Sequence, residues 1–154
     1  MSFTISKESP LGADLALLMA RHTADMHADT PPESIHMMDA GQLAVPQVAF
    51  FVLREAGVAQ AMGAFKRLSG SHAEIKSMHV LAEARGRGLS KAMLDHLIVE
   101  ARAAGVTQLS LETGVQPTFV AARALYTKAG FAECPPFEGY SEDPNSVFMT
   151  RSLA

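Results

Sequence analysis

The densest chemistry in the chain lies in the stretch "EARGRGLSKAMLDHL", Glu83 to Leu97, where Arg85 and Arg87 alternate with Gly86 and Gly88 ahead of Leu89 and Ser90. The first N–H groups of a helix have no internal partner, and the helix dipole favours negative charge there. Glycines let a ligand approach the backbone, and arginine matches phosphate oxygens. The turn reads either as a phosphate or diphosphate cradle, or as a solvated turn whose glycines supply positive φ. Two common nucleotide motifs fit poorly. "GRGLSK" lacks the spacing and the Lys-Ser/Thr pair of a P-loop. The dinucleotide pattern G-x-G-x-x-G is met at Gly86 and Gly88, but Lys91 stands where the third glycine belongs. Glu112 could imitate the ribose-binding acid of that pattern, yet it lies further on than the usual ~20 residues.

The elements that must position this turn follow from periodicity. "FTIS" is a short first strand, and Leu11, Leu15, Leu18 and His22 mark a helix from Pro10 to about Met26. Pro31 and Pro32 stop it, and "PPESIHMMDA" can restart as a short helix. "VAFFVLREAG" and "VAQAMGAFKRLS" form two strands around a turn at Ala56-Gly57. In "AEIKSMHVL" the apolar positions Ile75, Met78 and Val80 break strict alternation, which predicts a bulge near Ser77. Leu89, Met93, Leu97 and Ala101 share one face of a helix ended by Gly105. "TQLSLETG" is a strand, "PTFVAARALYTKAG" a helix, and "FAECPPF" and "NSVFMTRSL" the last strands. Strands and helices mixed around one sheet indicate an α/β or α+β domain.

Bulk properties bound the rest. A chain of 154 residues holds one core, and 48% apolar with 19% charged residues describes a folded globular protein. A net charge of -3 implies no broad basic face, so nucleic acid is not an expected partner. "MSFTISKESP" lacks the features of a secretory signal, and no apolar run reaches the ~20 residues of a membrane span. A cytoplasmic protein without a membrane partner is the expectation. The single cysteine, Cys134, excludes an intramolecular disulfide.

The residues resemble the GNAT superfamily of N-acetyltransferases, whose signature Q/R-x-x-G-x-G/A lies between a bulged strand and a helix. Arg85, Gly88 and Ser90 stand at those positions, serine replacing the usual glycine or alanine. "AARALYTKAGF", Ala121 to Phe131, resembles the family's last helix with its L-Y-x-x-x-G-F ending. One departure is Phe119, where family members often have asparagine; Gln116 or Thr118 could supply that polar contact. The resemblance implies a single domain over residues 1–154, with substrate-side helices in 1–47 and a cofactor-binding core in 48–154. Its sheet would be mixed and mostly antiparallel, of six or seven strands with a central splayed parallel pair, flanked by about four helices.

It also implies a chemistry: acetyl transfer from acetyl-CoA to a primary amine, by direct attack in a ternary complex. Arg85, Gly86, Arg87, Gly88, Leu89 and Ser90 would hold the coenzyme A diphosphate. The backbone of Met78, His79 and Val80 would pair with the pantetheine arm and polarise the acetyl oxygen. Tyr126 would protonate the departing thiolate, since a phenol of pKa ~10 is neutral at pH 7. Glu74, at the start of the bulged strand, is the expected base, with Glu112 as runner-up and His79 a third option by chemistry.

Family members vary their N-terminal half and one late loop, which places the acceptor between Arg21–Asp39 and Phe137–Asn145. Glu33, Ser34 and His36 are expected acceptor contacts, with Glu112 beside them and Tyr140 as a cover. His22, His27 and His36 lie among acids in the first segment, but no compact ligand spacing is present and no metal is expected. A small-molecule amine is the expected partner, and a homodimer is possible because many relatives are dimers. A non-catalytic acyl-CoA-binding module is the competing reading, and a nicotinamide-dependent enzyme is a third.

Overall fold

The computed structural model describes residues 2–154. Strand β1 (Thr4–Lys7) leads into a 3-10 turn and helix α1 (Ala16–Asp29). Helix α2 (Ala40–Leu43) precedes strands β2 (Val48–Glu55), β3 (Val58–Arg67) and β4 (His72–Val80). Helix α3 (Leu89–Ala103), strand β5 (Gln108–Gly114), helix α4 (Val120–Lys128) and strands β6 (Ala132–Cys134) and β7 (Ser146–Ser152) complete the chain. "PPES" makes only a 3-10 turn, Pro32–Ser34. The helix expected there begins later, at Ala40, where Asp39 and Gln42 form a reciprocal capping box. Asp39 supplies the side-chain acceptor that Pro31 lacks.

The strands form one seven-stranded sheet in the order β1-β2-β3-β4-β5-β7-β6. Only β4 and β5 run parallel. They are joined by α3, as a parallel connection requires. The β4–β5 ladder runs from His72↔Gln108 to Glu74↔Ser110 and stops there, although both strands continue. The cause lies on the other edge of β4. Lys76 pairs with Ala64 and His79 with Met62, so Ser77 and Met78 together oppose Gly63. Ser77 sits at φ +56, left-handed backbone that costs a β-carbon-bearing residue about 1–2 kcal/mol. The bulge turns β4 away from β5 and opens a wedge between them.

Each face of the sheet has its own cover. Paired residues share a face, so Glu74, Lys76 and His79 lie with Ala64 and Met62 on one side. The His22 ring of α1 rests 5.2 Å from that of His79, which puts α1 on this side. The other side carries Phe51, Phe65 and Ile75 under α3. In α3, Leu89, Met93, Leu94, Leu97, Ile98 and Ala101 are buried at three- and four-residue steps. Met93 crosses β3 at Gly63, where an added β-carbon would stand 2.8 Å from Met93 Cγ and 3.0 Å from its Sδ. The glycine opposite the bulge therefore also admits the helix.

The edge strand β1 is held by Arg54. Its guanidinium donates to both Glu8 oxygens at 2.8 Å, to Asp14 at 2.6 Å and to the Gly57 carbonyl at 2.9 Å. Arg54 is also what keeps the Glu8 carboxyl below its ordinary value of 4.5.

Gly63→Val should lower stability by about 1–3 kcal/mol through overpacking against Met93, read as a reduced urea midpoint. An unchanged midpoint would mean that Met93 moves aside freely. Arg54→Gln should lower the unfolding midpoint at pH 7. A lowered native pKa gives stability that is full above the ordinary value of 4.5 and is lost as pH falls through the native one. The wild-type advantage should therefore shrink on acidification below that range; an advantage independent of pH would contradict the ion-pair account.

Candidate active site

Two groups of residues stand out, one at the turn before α3 and one around a cavity bordered by Glu74, the last β4 residue of the parallel ladder. The first surrounds the turn at the start of α3. Gly86 and Gly88 both have φ +79, and no atom lies within 4 Å of where a β-carbon would stand on either. Glycine is required by conformation here, and the space before it is open. Gly88 is the N-cap of α3 and provides no side-chain cap, while the first intrahelical bond runs from Ala92 N–H to Gly88 O. The amides of Leu89 and Ser90 are thus left for an anion. Arg85 donates through Nε to Val80 O at 3.2 Å, which folds it back along the end of β4. Its other contact is Asp25 of α1 at 2.9 Å. Arg87 is ion-paired with Glu55 at the end of β2. The turn thus joins two arginines, each paired with a carboxylate, to open helix-start amides.

Within the bulge, Met78 carries its Sδ to 3.8 Å from the Tyr126 hydroxyl. Tyr126 is only 8% exposed, wedged against Phe131 with ring centres 5.9 Å apart. Burial pushes its phenol up to about 12. It stays neutral over the physiological range and keeps a proton to give. His79 is 8% exposed and its Nε2 is buried without a partner. Burial holds His79 below the ordinary imidazole value, and burial with His79 beside it brings His22 down to about 4. The two rings are therefore neutral at pH 7.

The second group lines a cavity of about 920 Å³ on the α1 side of the sheet. Glu33, His36, Glu74, Lys76 and Tyr140 all border it. Glu74 is 3% exposed, and its Oε2 accepts from the Tyr140 hydroxyl at 2.8 Å and meets Lys76 Nζ at 3.2 Å. Lys76 also donates to the Tyr140 hydroxyl at 2.7 Å and to His36 O at 2.9 Å. Its three protons thus have three acceptors. Burial and the Glu74 carboxylate raise the Tyr140 phenol far above its usual value, so it acts as a donor. Its ring lies between His36, Phe137 and Phe148.

His36 and Glu112 are 76 positions apart in the chain but form a pair, with Nδ1 at 2.8 Å from Oε2 and 2.9 Å from Oε1. Ser146 of β7 donates to Glu112 Oε2 at 2.8 Å and fixes the carboxylate. Ser34 is turned away from this pair: its hydroxyl accepts from Asn145 Nδ2 at 3.3 Å and ties the early segment to the late loop. Gln116 is tied to the same loop, donating to Asn145 Oδ1 at 3.2 Å.

Lys76 escaped the sequence reading, although its signal was present: Glu74 and Lys76 are two apart on a strand and must share a face. The role of Asp25 had a weaker signal. Arg21 and Asp25 are four apart on α1, and Arg21 pairs with Glu83 as Asp25 does with Arg85. Among the described residues no group of three metal-ligating side chains occurs, and no helix is long and apolar enough to cross a membrane.

The comparisons agree with this architecture. The model of the Acetyltransferase (GNAT) family matches residues 17–131. The uncharacterised N-acetyltransferase YsnE of Bacillus subtilis is 42% identical, over 92% of this chain and 94% of its own. The IAA acetyltransferase of Azospirillum brasilense is 40% identical, with 97% of each chain covered. Among solved structures, yncA of Salmonella typhimurium, described as a candidate acetyltransferase with its cofactor acetyl-CoA, has the same fold. Its TM-score is 0.72 at 19% identity, covering 100% of this chain and 95% of that one. By family match, by relatives and by the single parallel pair in a seven-stranded sheet, the chain belongs to the GNAT family of acetyltransferases and is an acyltransferase.

Proposed function

We propose that the chain transfers an acetyl group from acetyl-CoA to the primary amine of a small molecule, by direct attack while both are bound. The observation that carries this reading is the early end of the β4–β5 ladder, with the Tyr126 hydroxyl beside Met78 further along β4 and Glu74, where the ladder stops, bordering a cavity. Acetyl-CoA, when bound, supplies the acetyl group as a thioester. Arg85, Arg87 and the amides opening α3 hold its diphosphate. The edge of β4 beyond Glu74 that has no β5 partner would take the pantetheine arm as a strand takes a neighbour. A backbone N–H of Met78 to Val80 polarises the acetyl oxygen. Tyr126 gives its proton to the departing sulfur.

The amine must lose a proton to attack, and two groups bordering the cavity could receive it. Glu74 has one oxygen committed to Tyr140 and Lys76. His36 has one ring nitrogen held by Glu112, which leaves the other as a base, oriented by a carboxylate that is itself anchored. This reading therefore favours His36 as proton acceptor, with Glu74 holding the cavity in shape. The cavity size suits a small molecule. Residues 1–47 supply Glu33 and His36 to the acceptor side, and the cofactor core of 48–154 supplies the remainder. Replacing Cys134 by alanine should leave turnover intact; lost turnover would point to an acetyl-cysteine route.

Tyr126→Phe should lower kcat about a hundredfold while the CoA dissociation constant, measured by calorimetry, changes little. An unchanged kcat would remove Tyr126 from the acid role. In acetylation assays over a panel of small amines, amino acids and peptides, His36→Gln should lower kcat about a hundredfold. Glu74→Gln should act mainly on KM. The reverse pattern would assign the proton to Glu74, and turnover of peptides alone would reject a small-molecule acceptor.

A further inference from the structure

We infer that Asp25 of α1 is an internal competitor for the cofactor diphosphate, setting its affinity by occupying Arg85. The inference rests on the reading of Arg85 to Ser90 as the diphosphate cradle. Among the described residues the Arg85 side chain makes two hydrogen bonds, to the Val80 carbonyl through Nε and to Asp25 Oδ2 through Nη2 at 2.9 Å. The Nε contact fixes the root of the guanidinium against β4. Of the two outer nitrogens Asp25 holds Nη2, so a diphosphate that grips the guanidinium at two points would compete with Asp25 for it. Both side chains are about half exposed, so the pair is accessible and exchangeable.

The neighbourhood favours exchange. Asp25 faces two further groups, His79 Nδ1 at 4.0 Å and, through it, the neighbouring His22 ring. Both rings are held neutral by burial, so neither offers Asp25 a full charge while Arg85 is present. Arg21, one turn earlier, is committed to Glu83. Asp25 thus has one cationic partner, and it is the cation expected to serve the ligand. A diphosphate brings more charge than a carboxylate and matches the guanidinium at two points. It would take Arg85 over, and the cost of parting Arg85 from Asp25 would be subtracted from the binding free energy. An exposed pair of this kind is worth little in water, so the expected effect is modest and dependent on salt.

The experiment is calorimetry of CoA binding to the full chain at low ionic strength, for wild type, Asp25→Asn, Arg85→Gln and the double variant. Folding of each is checked by thermal unfolding. Asp25→Asn should tighten CoA roughly two- to fivefold, should lose the gain in the Arg85→Gln background, and should not tighten phosphate-free pantetheine. The gain should fade at high salt. Unchanged or weaker CoA binding in Asp25→Asn overturns the inference, as does equal tightening with Arg85 removed. Wild type that fails to bind CoA at all overturns the cofactor reading itself, and the two failures are thereby told apart. If Asp25→Asn unfolds, Asp25→Ser carries the same comparison.

Discussion

The left-handed residue at Ser77 is the constraint from which the remaining geometry follows. A parallel pair in a small sheet would ordinarily zip to its ends, because each unpaired amide loses a hydrogen bond. Two residues of β4 opposite one of β3 prevent this. The strand pivots, β5 stays with β7, and the backbone beyond Glu74 and Ser110 is left without its parallel neighbour. Gly63 makes the bulge tolerable from the other side, since Met93 of α3 occupies the space that a side chain would need. Helix, bulge and wedge thus form one unit. The cost of unpaired backbone in the middle of a sheet is sensible only if something else pairs with it.

Charge is arranged around the wedge in a consistent way. Each arginine of the turn is matched with a carboxylate from a different element, Asp25 of α1 or Glu55 of β2. On the cavity side the ammonium of Lys76 is matched by one carboxylate, one phenol and one carbonyl. Buried charge without partners is expensive, and the chain avoids it almost everywhere near the site. Two uncharged polar atoms on the bulged strand, His79 Nε2 and the Ser77 hydroxyl, are buried without a hydrogen-bond partner among the described residues.

Much of the fold could be read from the chain because its signals are local. The alternation break at Met78 announced the bulge, Gly86 and Gly88 announced a turn before a helix, and Ala56-Gly57 announced the hairpin. The short helix was misplaced because "PPES" offers a helix start in proline but no side-chain cap, whereas the Asp39–Gln42 box lies further on. The candidate site was legible only in pieces. His36 and Glu112 were each noticed, but nothing local joins residues on a loop and a strand so far apart. Their pairing depends on where β5 falls beside the 31–39 segment. Lys76 and Asp25 were hidden for a similar reason: a charged residue near a strand end or a helix face looks solvated until its partner from another element arrives.

Lys76 has an evolutionary consequence. One ammonium ties the 31–39 segment, through His36 O, to the late loop, through Tyr140, and both to the sheet, through Glu74. The two segments that border the cavity are therefore not independent modules. A change in one reaches the other through a shared donor, so the lining of the cavity is remade most readily by joint change in both. Divergence within this lineage should then proceed in coupled jumps of paired segments.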